Sequence, residues 1–442
     1  MRKHQAKASA IVIVAFALSG LGQQTADPAD VLLQARERLL PELARMPRYT
    51  CVQTVTRKYY LAPSHQHDHD CGAIIAARES RKHELRLQGW DRLRLEIATV
   101  QAGDVFSWVG AARFDESDIK VFAGHGPLGS GDFGAFLNAA LARGIIQFKQ
   151  EELAEGRRVL EYSYDIPLER SSYKVHTDQG WRVTPYQGDL VLDPEANDVV
   201  RLTVRTAELP ESSMACQAIS EVEYGRAKIH DQMILIPREV RLRTIHQSSA
   251  ETLNSTVYTA CREYASRSRM LLEAPKEAAA SSAANTRVTP SNSLPAGLRF
   301  YGRIVTSIDS DRAAAGDPIE GILRSEMRDK QNHLIAPAGA RFHGRLMLLE
   351  RQLEPADYFK IGIRLESVEV GGKEIPLSAL TFPIHKRTWV DGSLFGSIVV
   401  PPDDPSTGVA TFLFRHEHLS LKQLDSEWIT VARDAGASND AH

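Results

Sequence analysis

A short run of histidines and acids is the densest group of potential metal ligands in the sequence. His65, His67 and His69 stand at alternate positions, and Asp70 ends the run. Imidazole and carboxylate groups bind Zn²⁺, Ni²⁺ or Cu²⁺, and alternate residues of an extended segment can project to one side. A metal site at His65, His67, His69 and Asp70 is one interpretation. A solvated surface loop is the other, and we favour it because little besides Cys71 would fix the ligand geometry.

Two catalytic motifs match by letter but lack their structural context. Gly124, Gly126 and Gly129 have the spacing of a dinucleotide fingerprint, but the neighbouring segments do not read as a buried parallel unit. Ser171 and Lys174 have the spacing of an acylating pair, but the accompanying Ser-Asp-Asn and Lys-Thr-Gly motifs are missing. The sequence therefore predicts no catalytic residue and no cofactor. A hydrolase with a spatially assembled site stays open as an alternative, because triads are defined by geometry.

The chain has four cysteines, an even number that suggests two disulfides if the protein is exported. Three connectivities are compatible with Cys51, Cys71, Cys216 and Cys261. We favour Cys51–Cys71 with Cys216–Cys261, because each of these pairs encloses one local excursion of the chain. Buried free thiols are the alternative.

An apolar N-terminal segment predicts export. Residues 1–22 begin with a basic cluster that includes Arg2 and Lys3, continue through an apolar run, and reach small residues at Gly20 and Gly22. This is the layout of a cleaved signal peptide, and the run is too short to span a bilayer comfortably. We therefore expect a periplasmic or secreted protein with no membrane span in the mature chain. An uncleaved membrane anchor is the alternative.

The overall composition argues against nucleic acid as a partner. Of the 442 residues, 43% are hydrophobic and 25% are charged, which is ordinary for globular domains, and the formal net charge is −3. A phosphate backbone requires a basic face on the protein, and neither the charge balance nor any run of lysines and arginines supplies one.

Helical periodicity occurs twice in the first 270 residues. Asp27 and Pro28 predict the start of a helix, and the apolar residues of 32–46 recur at three- and four-residue steps on one stripe. Pro41 should kink or split this helix. Residues 132–143 have the same periodicity and predict a short amphipathic helix between strands.

Elsewhere in this part of the chain the hydrophobic period is two. Leu93, Leu95 and Ile97 alternate with charged residues, and several later segments repeat the pattern. Such alternation indicates one buried and one solvated face, which is typical of antiparallel sheets. The prediction for residues 27–270 is therefore an α+β domain.

A change in composition separates a second β-rich block from the first. Residues 271–293 are rich in Ala, Ser, Thr and Pro and are predicted to form a flexible linker, with a short helix as the alternative. Residues 294–435 contain many short alternating segments with Gly and Pro between them, which predicts a small β-barrel or sandwich. The tail, residues 436–442, is predicted to be disordered.

Several short motifs of the first block resemble those of a group of secreted bacterial proteins of unassigned function. The motifs are Tyr49-Thr50-Cys51, the segment 190–194, Leu235-Ile236-Pro237 and the segment 261–264. In outline, a long N-terminal helix followed by antiparallel strands also resembles the LolA-like periplasmic lipoprotein carriers. This resemblance implies a curved sheet that forms an incomplete barrel, with an apolar ligand or lipoprotein held between its concave face and its helices.

The second block resembles the barrel module of the TrbI family in type IV secretion. The similarity runs through the segments 302–307, 315–319, 334–340 and 344–346, which follow that family's order of strand, turn, turn and return strand. This chain lacks the transmembrane helix and the long proline-rich arm of that family.

The leading expectation is a non-enzymatic protein of the cell envelope that binds an apolar ligand or a lipoprotein. The alternative from another class is an envelope scaffold that docks a protein partner through its C-terminal β-domain.

Overall fold

The computed structural model describes residues 27–46, 49–62, 70–80, 85–100, 103–111, 119, 133–154, 156–263, 294–381, 398–400 and 407–432. The predicted signal peptide, the linker at 271–293, the tail at 436–442, and the glycines at 124, 126 and 129 lie outside these residues. Those predictions therefore stay predictions.

In its described residues the first block has three full α-helices: α1 (Pro28–Ala44), α2 (Cys71–Glu79) and α3 (Phe133–Arg143). Helix α1 begins as predicted, because Asp27 Oδ1 accepts a hydrogen bond from the Ala29 N–H at 2.9 Å. Pro41 does not split the helix, which continues for three residues beyond it. None of the helices in the described part of the chain is long and apolar enough to cross a membrane.

The strands of the first block form one antiparallel sheet. In spatial order the sheet runs β3, β2, β1, β12, β11, β10, β9, β8, β5, β4. A separate hairpin is formed by β6 and β7. The strand bounds are β1 (Tyr49–Leu61), β2 (Arg86–Val100), β3 (Gly103–Trp108), β4 (Ile145–Ala154), β5 (Arg157–Ile166), β6 (Lys174–Thr177), β7 (Gly180–Val183), β8 (Tyr186–Asp193), β9 (Asp198–Thr206), β10 (Ala215–Ile229), β11 (Gln232–His246) and β12 (Glu251–Glu263).

One row of side chains crosses this sheet on a single face, because directly opposed residues of neighbouring strands share a face. We call this face the inner face. All members of the row are at most 2% exposed, which is what the period-two pattern predicts for a half-buried sheet. The row consists of Tyr162, Leu190, Leu202, Val222, Val240, Thr256, Val55 and Leu93.

Helices α1 and α3 cover one half of the inner face. Their buried side chains Val31, Ala35, Leu39, Leu137 and Leu141 join one hydrophobic core with the inner residues of β5, β8 and β9. Helix α2 packs against β10 and Ile245, and the register places Ile245 on the opposite face of the sheet from Val240. The two predicted helices therefore supply the cover that the one-sided strands need.

The second block is all β and has its own core, centred on Phe300, Phe342, Phe412 and Trp428. In spatial order its main strands run β22, β23, β19, β18, β15, β13, β25, β21, all antiparallel. Short pairs are formed by β14 with β24 and by β16 with β17, and β20 pairs with β19. The bounds are β13 (Arg299–Ile304), β14 (Ile308–Asp309), β15 (Pro318–Leu323), β16 (Met327–Arg328), β17 (Leu334–Ala336), β18 (Arg341–Gln352), β19 (Tyr358–Val370), β20 (Lys373–Pro376), β21 (Ala379–Thr381), β22 (Ile398–Val400), β23 (Val409–Phe414), β24 (Ser420–Leu421) and β25 (Leu424–Thr430).

The two blocks share backbone pairing. Strand β18 pairs with the beginning of β2, with Glu350 opposite Asp91 and Gln352 opposite Gly89. The predicted fold class is confirmed: an α+β first block with a curved, unclosed antiparallel sheet, followed by an all-β second block. Sequence analysis did not predict that one sheet would run continuously through both.

Candidate functional site

The structure forms two disulfides, but with a different pairing from the one we favoured. Cys51 bonds Cys261, and Cys71 bonds Cys216. The favoured pairing was wrong because β1 and β12 are neighbouring antiparallel strands, and because α2, which begins at Cys71, packs on β10. The bonded cysteines are 210 and 145 positions apart in the sequence. On the loop-entropy model, closures of this length are each worth about 5 kcal/mol.

The predicted metal site is described at only one of its four residues. Asp70 Oδ2 accepts a hydrogen bond from the Ala73 N–H at 2.9 Å and so caps the start of α2. His65, His67 and His69 lie outside the described residues. The capping role gives Asp70 a structural task, and metal binding by this run stays a prediction.

The Ser171 hydroxyl is hydrogen-bonded within a turn, which fits a sequence that lacks the other motifs of an acylating pair. Its hydroxyl donates to the Thr184 carbonyl at 2.5 Å and accepts from the Tyr173 N–H at 3.1 Å. Lys174 begins the exposed hairpin strand β6. The hydroxyl therefore serves the local backbone geometry.

The cover over the inner face is held mainly by apolar packing. Helix α1 is further fixed where Arg226 bridges Glu42, at 2.9 Å, and Asp198, at 2.5 Å. The hydrogen bond to Glu42 and the bond to Asp198 raise the pKa of Arg226, so the bridge stays charged. The Tyr162 hydroxyl also donates to the Pro28 carbonyl at 2.7 Å. Neither disulfide involves α1 or α3.

The other half of the inner face carries a buried ion pair. Arg57 donates to both carboxylate oxygens of Asp91, at 2.7 and 2.8 Å, and the Tyr59 hydroxyl donates to Asp91 at 2.7 Å. The side chains of Arg57 and Asp91 are only 6% and 10% exposed. Burial, reinforced by the nearby Asp91 charge, raises the pKa of Tyr59 well above its usual range. The pair ties β1 to β2 at the point where β18 joins the sheet.

The side of β2 away from β1, which we call the closed edge, pairs with β3 from Leu95 to Val100 and is capped by the second block in the part of β2 before Leu95. Ala315 accepts from the Arg94 N–H at 2.6 Å and donates to the Arg92 carbonyl at 2.8 Å. The Arg94 guanidinium pairs with Asp317 at 2.5 Å. Gly316 has φ of +106°, and a Cβ there would lie 2.1 Å from the Arg94 carbonyl oxygen. The approach of the two blocks thus requires glycine at this position.

An open cleft of about 500 Å³ lies at this junction. Its wall has charged groups from Arg94, Asp309, Arg312 and Asp317. Its apolar surface comes from Ile308, Ile319 and Leu346, and its other lining residues are Thr306, Ser307, Ala313 and Pro318.

Beside the cleft, ligand atoms of Asp309, Asp311 and His418 lie within 4.8 Å of one another. His418 Nε2 is 3.6 Å from Asp309, while its Nδ1 is 3.5 Å from Asp311 and 3.2 Å from Ser310 Oγ. Each imidazole nitrogen therefore already faces a partner within the protein. Sequence analysis missed this trio because β14 and β24, which bring it together, are distant in the chain.

The side of β4 away from β5, which we call the open edge, lacks the pairing and cover of the closed edge among the described residues. Among the described residues, β4 pairs with β5 and with no other strand. Three of its large apolar side chains are exposed: Ile145 (51%), Phe148 (47%) and Leu153 (76%). Sequence analysis did not single out this strand, although its poor alternation could have signalled an incompletely covered face.

Comparisons with known proteins give distant structural similarities. A scan against protein-family models finds no match, and a search of curated proteins finds none. The chain is similar to an outer membrane lipoprotein-sorting protein domain from Vibrio parahaemolyticus, with 10% identity and a TM-score of 0.25 over 53% of this chain and 92% of that one. A DUF1329 family protein from Desulfovibrio piger aligns over the same shares, with 8% identity and a TM-score of 0.24. The MucA/MucB complex of Pseudomonas aeruginosa aligns with 11% identity and a TM-score of 0.17, over 87% of this chain and 92% of that one. With TM-scores this low, the similarities carry no conclusion about ligands or partners.

Proposed function

We propose that this chain is an extracytoplasmic, non-enzymatic binding protein whose inner face accepts an apolar ligand, either free or as the acyl chain of a lipoprotein. One observation carries the proposal: the apolar half of the inner face is covered by two helices that no disulfide fixes to the sheet. The disulfides instead join β1 to β12 and α2 to β10.

Ligand entry would exchange apolar contacts of the covering helices for apolar contacts of the ligand. In the structure, α1 and α3 fill the inner face with their own side chains, so a ligand must displace part of this cover. Moving a helix outward exposes apolar surface, and each methylene of an entering chain recovers about 0.8 kcal/mol. A covering helix held by packing and by a few polar contacts, among them the bridge from Arg226 to Glu42 and the bond from Tyr162 to Pro28, is suited to this exchange.

The compartment and the absence of catalysis are part of the same proposal. Two disulfides are typical of proteins in an oxidising compartment, which supports export through a signal peptide cleaved near residue 22. The hydroxyl of Ser171 and the imidazole of His418 are both engaged by neighbouring groups, which supports binding over hydrolysis.

We also propose that the second block is a small β-module like that of the TrbI family. The observed order of β13, the tight turn at Gly316, β15, the turn at Gly339 and the return strand β18 supports this. A scaffold role in which this module docks an envelope protein is the second candidate, and the exposed apolar residues Tyr301 and Val305 favour it.

The test begins with lipid extraction and mass spectrometry of the protein purified from its native envelope. In parallel, the purified protein is titrated with the fluorescent fatty acid cis-parinaric acid. We expect a co-purified lipid and saturable fatty-acid binding. The absence of both would overturn the proposal.

A variant of the helix bridge tests the mechanism of entry. Glu42→Gln weakens the hold on α1 and should speed fatty-acid uptake about two- to fivefold, as expected for a partly exposed ion pair. Asp425→Asn is the matched control, because its pair with Arg303 lies in the second block, far from the helices. Equal uptake rates in both variants would argue against entry beneath α1.

A further inference from the structure

Among the described residues, the ten-residue strand β4 has no strand paired on the side away from β5, and its pairing with β5 shifts register once, between Phe148 and Gln150. Within the described chain, its antiparallel pairing with β5 extends from Ile145 opposite Asp165 to Ala154 opposite Arg157, and nothing pairs beyond it. Such an edge presents a row of N–H and C=O groups that can continue the sheet with another strand.

Apolar side chains along this edge are positioned to receive a partner. Phe148 is opposite Tyr162 and so belongs to the inner face, where the two rings make an edge contact at 5.7 Å. Leu153 stands opposite Arg158, two residues from the buried Leu160 on that same face. Both side chains are substantially exposed because the sheet ends at β4. An added strand would bury them against its own inward side chains.

The charges that commonly protect an edge are already neutralised here. Lys149 donates to Glu161 at 2.9 Å and to Asp189 at 3.1 Å, and Glu152 pairs with Arg201 at 3.1 Å. Glu151 pairs with Arg158 at 2.7 Å. An approaching strand therefore meets no uncompensated charge, and a segment with uncharged residues is the complementary occupant.

Self-pairing of two copies in full overlap matches this edge less well. With β4 fully overlapped on its own antiparallel copy, Ile145 stands opposite Ala154, so opposed residue numbers sum to 299. Phe148 would then face Glu151 of the second copy, which sets an apolar ring against a carboxylate. A different polypeptide can place an apolar side chain at that position.

We infer that β4 is a docking strand that adds an extended, uncharged segment of another polypeptide to the sheet, with apolar residues opposite Phe148 and Leu153. This inference is independent of the apolar ligand proposed for the inner face. It names a protein partner, and its site is the backbone edge of β4, which borders the inner face at Phe148.

A defined peptide tests the inference. The probe is the blocked decapeptide Lys-Thr-Val-Thr-Val-Asn-Val-Thr-Val-Lys, whose eight residues between the terminal lysines are uncharged. Its matched control has proline in place of the Asn and of the Val that follows it. Hydrogen exchange of the full-length protein should show slower exchange across Ile145–Ala154 with the probe and no change with the proline peptide. No slowing in β4 would overturn the inference.

Charge substitutions assign the site. Phe148→Lys and Leu153→Lys should each weaken probe binding about tenfold, because an inward-facing charge would be buried by the added strand. Val257→Lys is the matched control: its side chain is 44% exposed, but it lies in β12, where both neighbouring strands are present. Equal binding by all three variants would contradict the inference.

Two further readouts separate the alternatives. In sedimentation, the wild-type protein alone should not associate through β4. Self-association that Phe148→Lys abolishes would assign β4 to a second copy instead. Binding of cis-parinaric acid by the wild-type protein should be unchanged when the decapeptide is present, so that failure of the docking site and failure of the proposed function give different results. Competition between the fatty acid and the decapeptide would contradict two separate sites.

Discussion

The two edges of the first block's sheet end the same row of inner-face residues in opposite ways. At the closed edge the row reaches Leu93, which is 2% exposed and bridges to the fully buried Ala315 of the second block. At the open edge it reaches Phe148, which is 47% exposed. A sheet edge inside a protein must be paired, covered or protected by charge. This protein uses pairing and covering at one edge; at the other, β4 has a register shift after Phe148 and exposes apolar side chains beside charges that are already paired.

This difference indicates which half of the sheet is held rigidly and which half can rearrange. The closed edge has the buried ion pair of Arg57 with Asp91, the backbone bonds to Ala315, and the disulfide Cys51–Cys261 on the neighbouring strand β1. The other half of the sheet has helices held largely by packing. A binding protein needs a fixed frame and a part that can rearrange, and the two halves divide these tasks.

The largest effect is expected from breaking the buried pair at the closed edge. Asp91→Ala leaves the Arg57 charge buried without its carboxylate and should lower the free energy of unfolding by about 3 to 5 kcal/mol. Denaturant unfolding measures this loss. Asp425→Ala, which removes an exposed pair in the second block, should have a much smaller effect. Similar losses in both variants would mean that burial does not distinguish the closed edge.

Removing the disulfide on β1 should rank next. Cys51→Ala with Cys261→Ala should cost about 2 to 5 kcal/mol in the free energy of unfolding. Non-reducing peptide mapping of the wild-type protein should recover Cys51 linked to Cys261. Recovery of Cys51 linked to Cys71 would instead restore the pairing that the sequence favoured and remove one link of the closed edge.

A steric variant separates contact across the junction from backbone strain. Gly316→Ala places a Cβ against the Arg94 carbonyl at a residue with φ of +106°, and should cost about 2 to 3 kcal/mol. Gly339→Ala is the matched control, since φ is +85° there but the added Cβ meets open space. It should cost about 1 kcal/mol. Equal costs, compared by thermal unfolding, would show that the junction tolerates the added methyl group.

Sequence analysis could predict the elements but not the junctions between them. The stripe of α1 and the alternation of β2 follow from residue periods that a single segment contains. The disulfide pairing, the Arg57–Asp91 pair and the joining of β18 to β2 depend on which strands become neighbours. Neighbouring strands in this sheet are far apart in sequence, as β2 and β18 are, where Asp91 stands opposite Glu350, and no local pattern specifies such a pairing.

The smallest effect on stability is expected at the open edge, and it sharpens the comparison most. Leu153→Lys replaces a side chain that is 76% exposed, so the free energy of unfolding should change by less than about 0.5 kcal/mol. The equivalent change at the closed edge is Leu95→Lys, which buries an unpaired ammonium group at a position that is 0% exposed. It should lower the free energy of unfolding by roughly several kcal/mol. Both are measured by denaturant unfolding of the isolated protein. A large loss for Leu153→Lys would mean that the open edge already stabilises the fold and is not available to a partner.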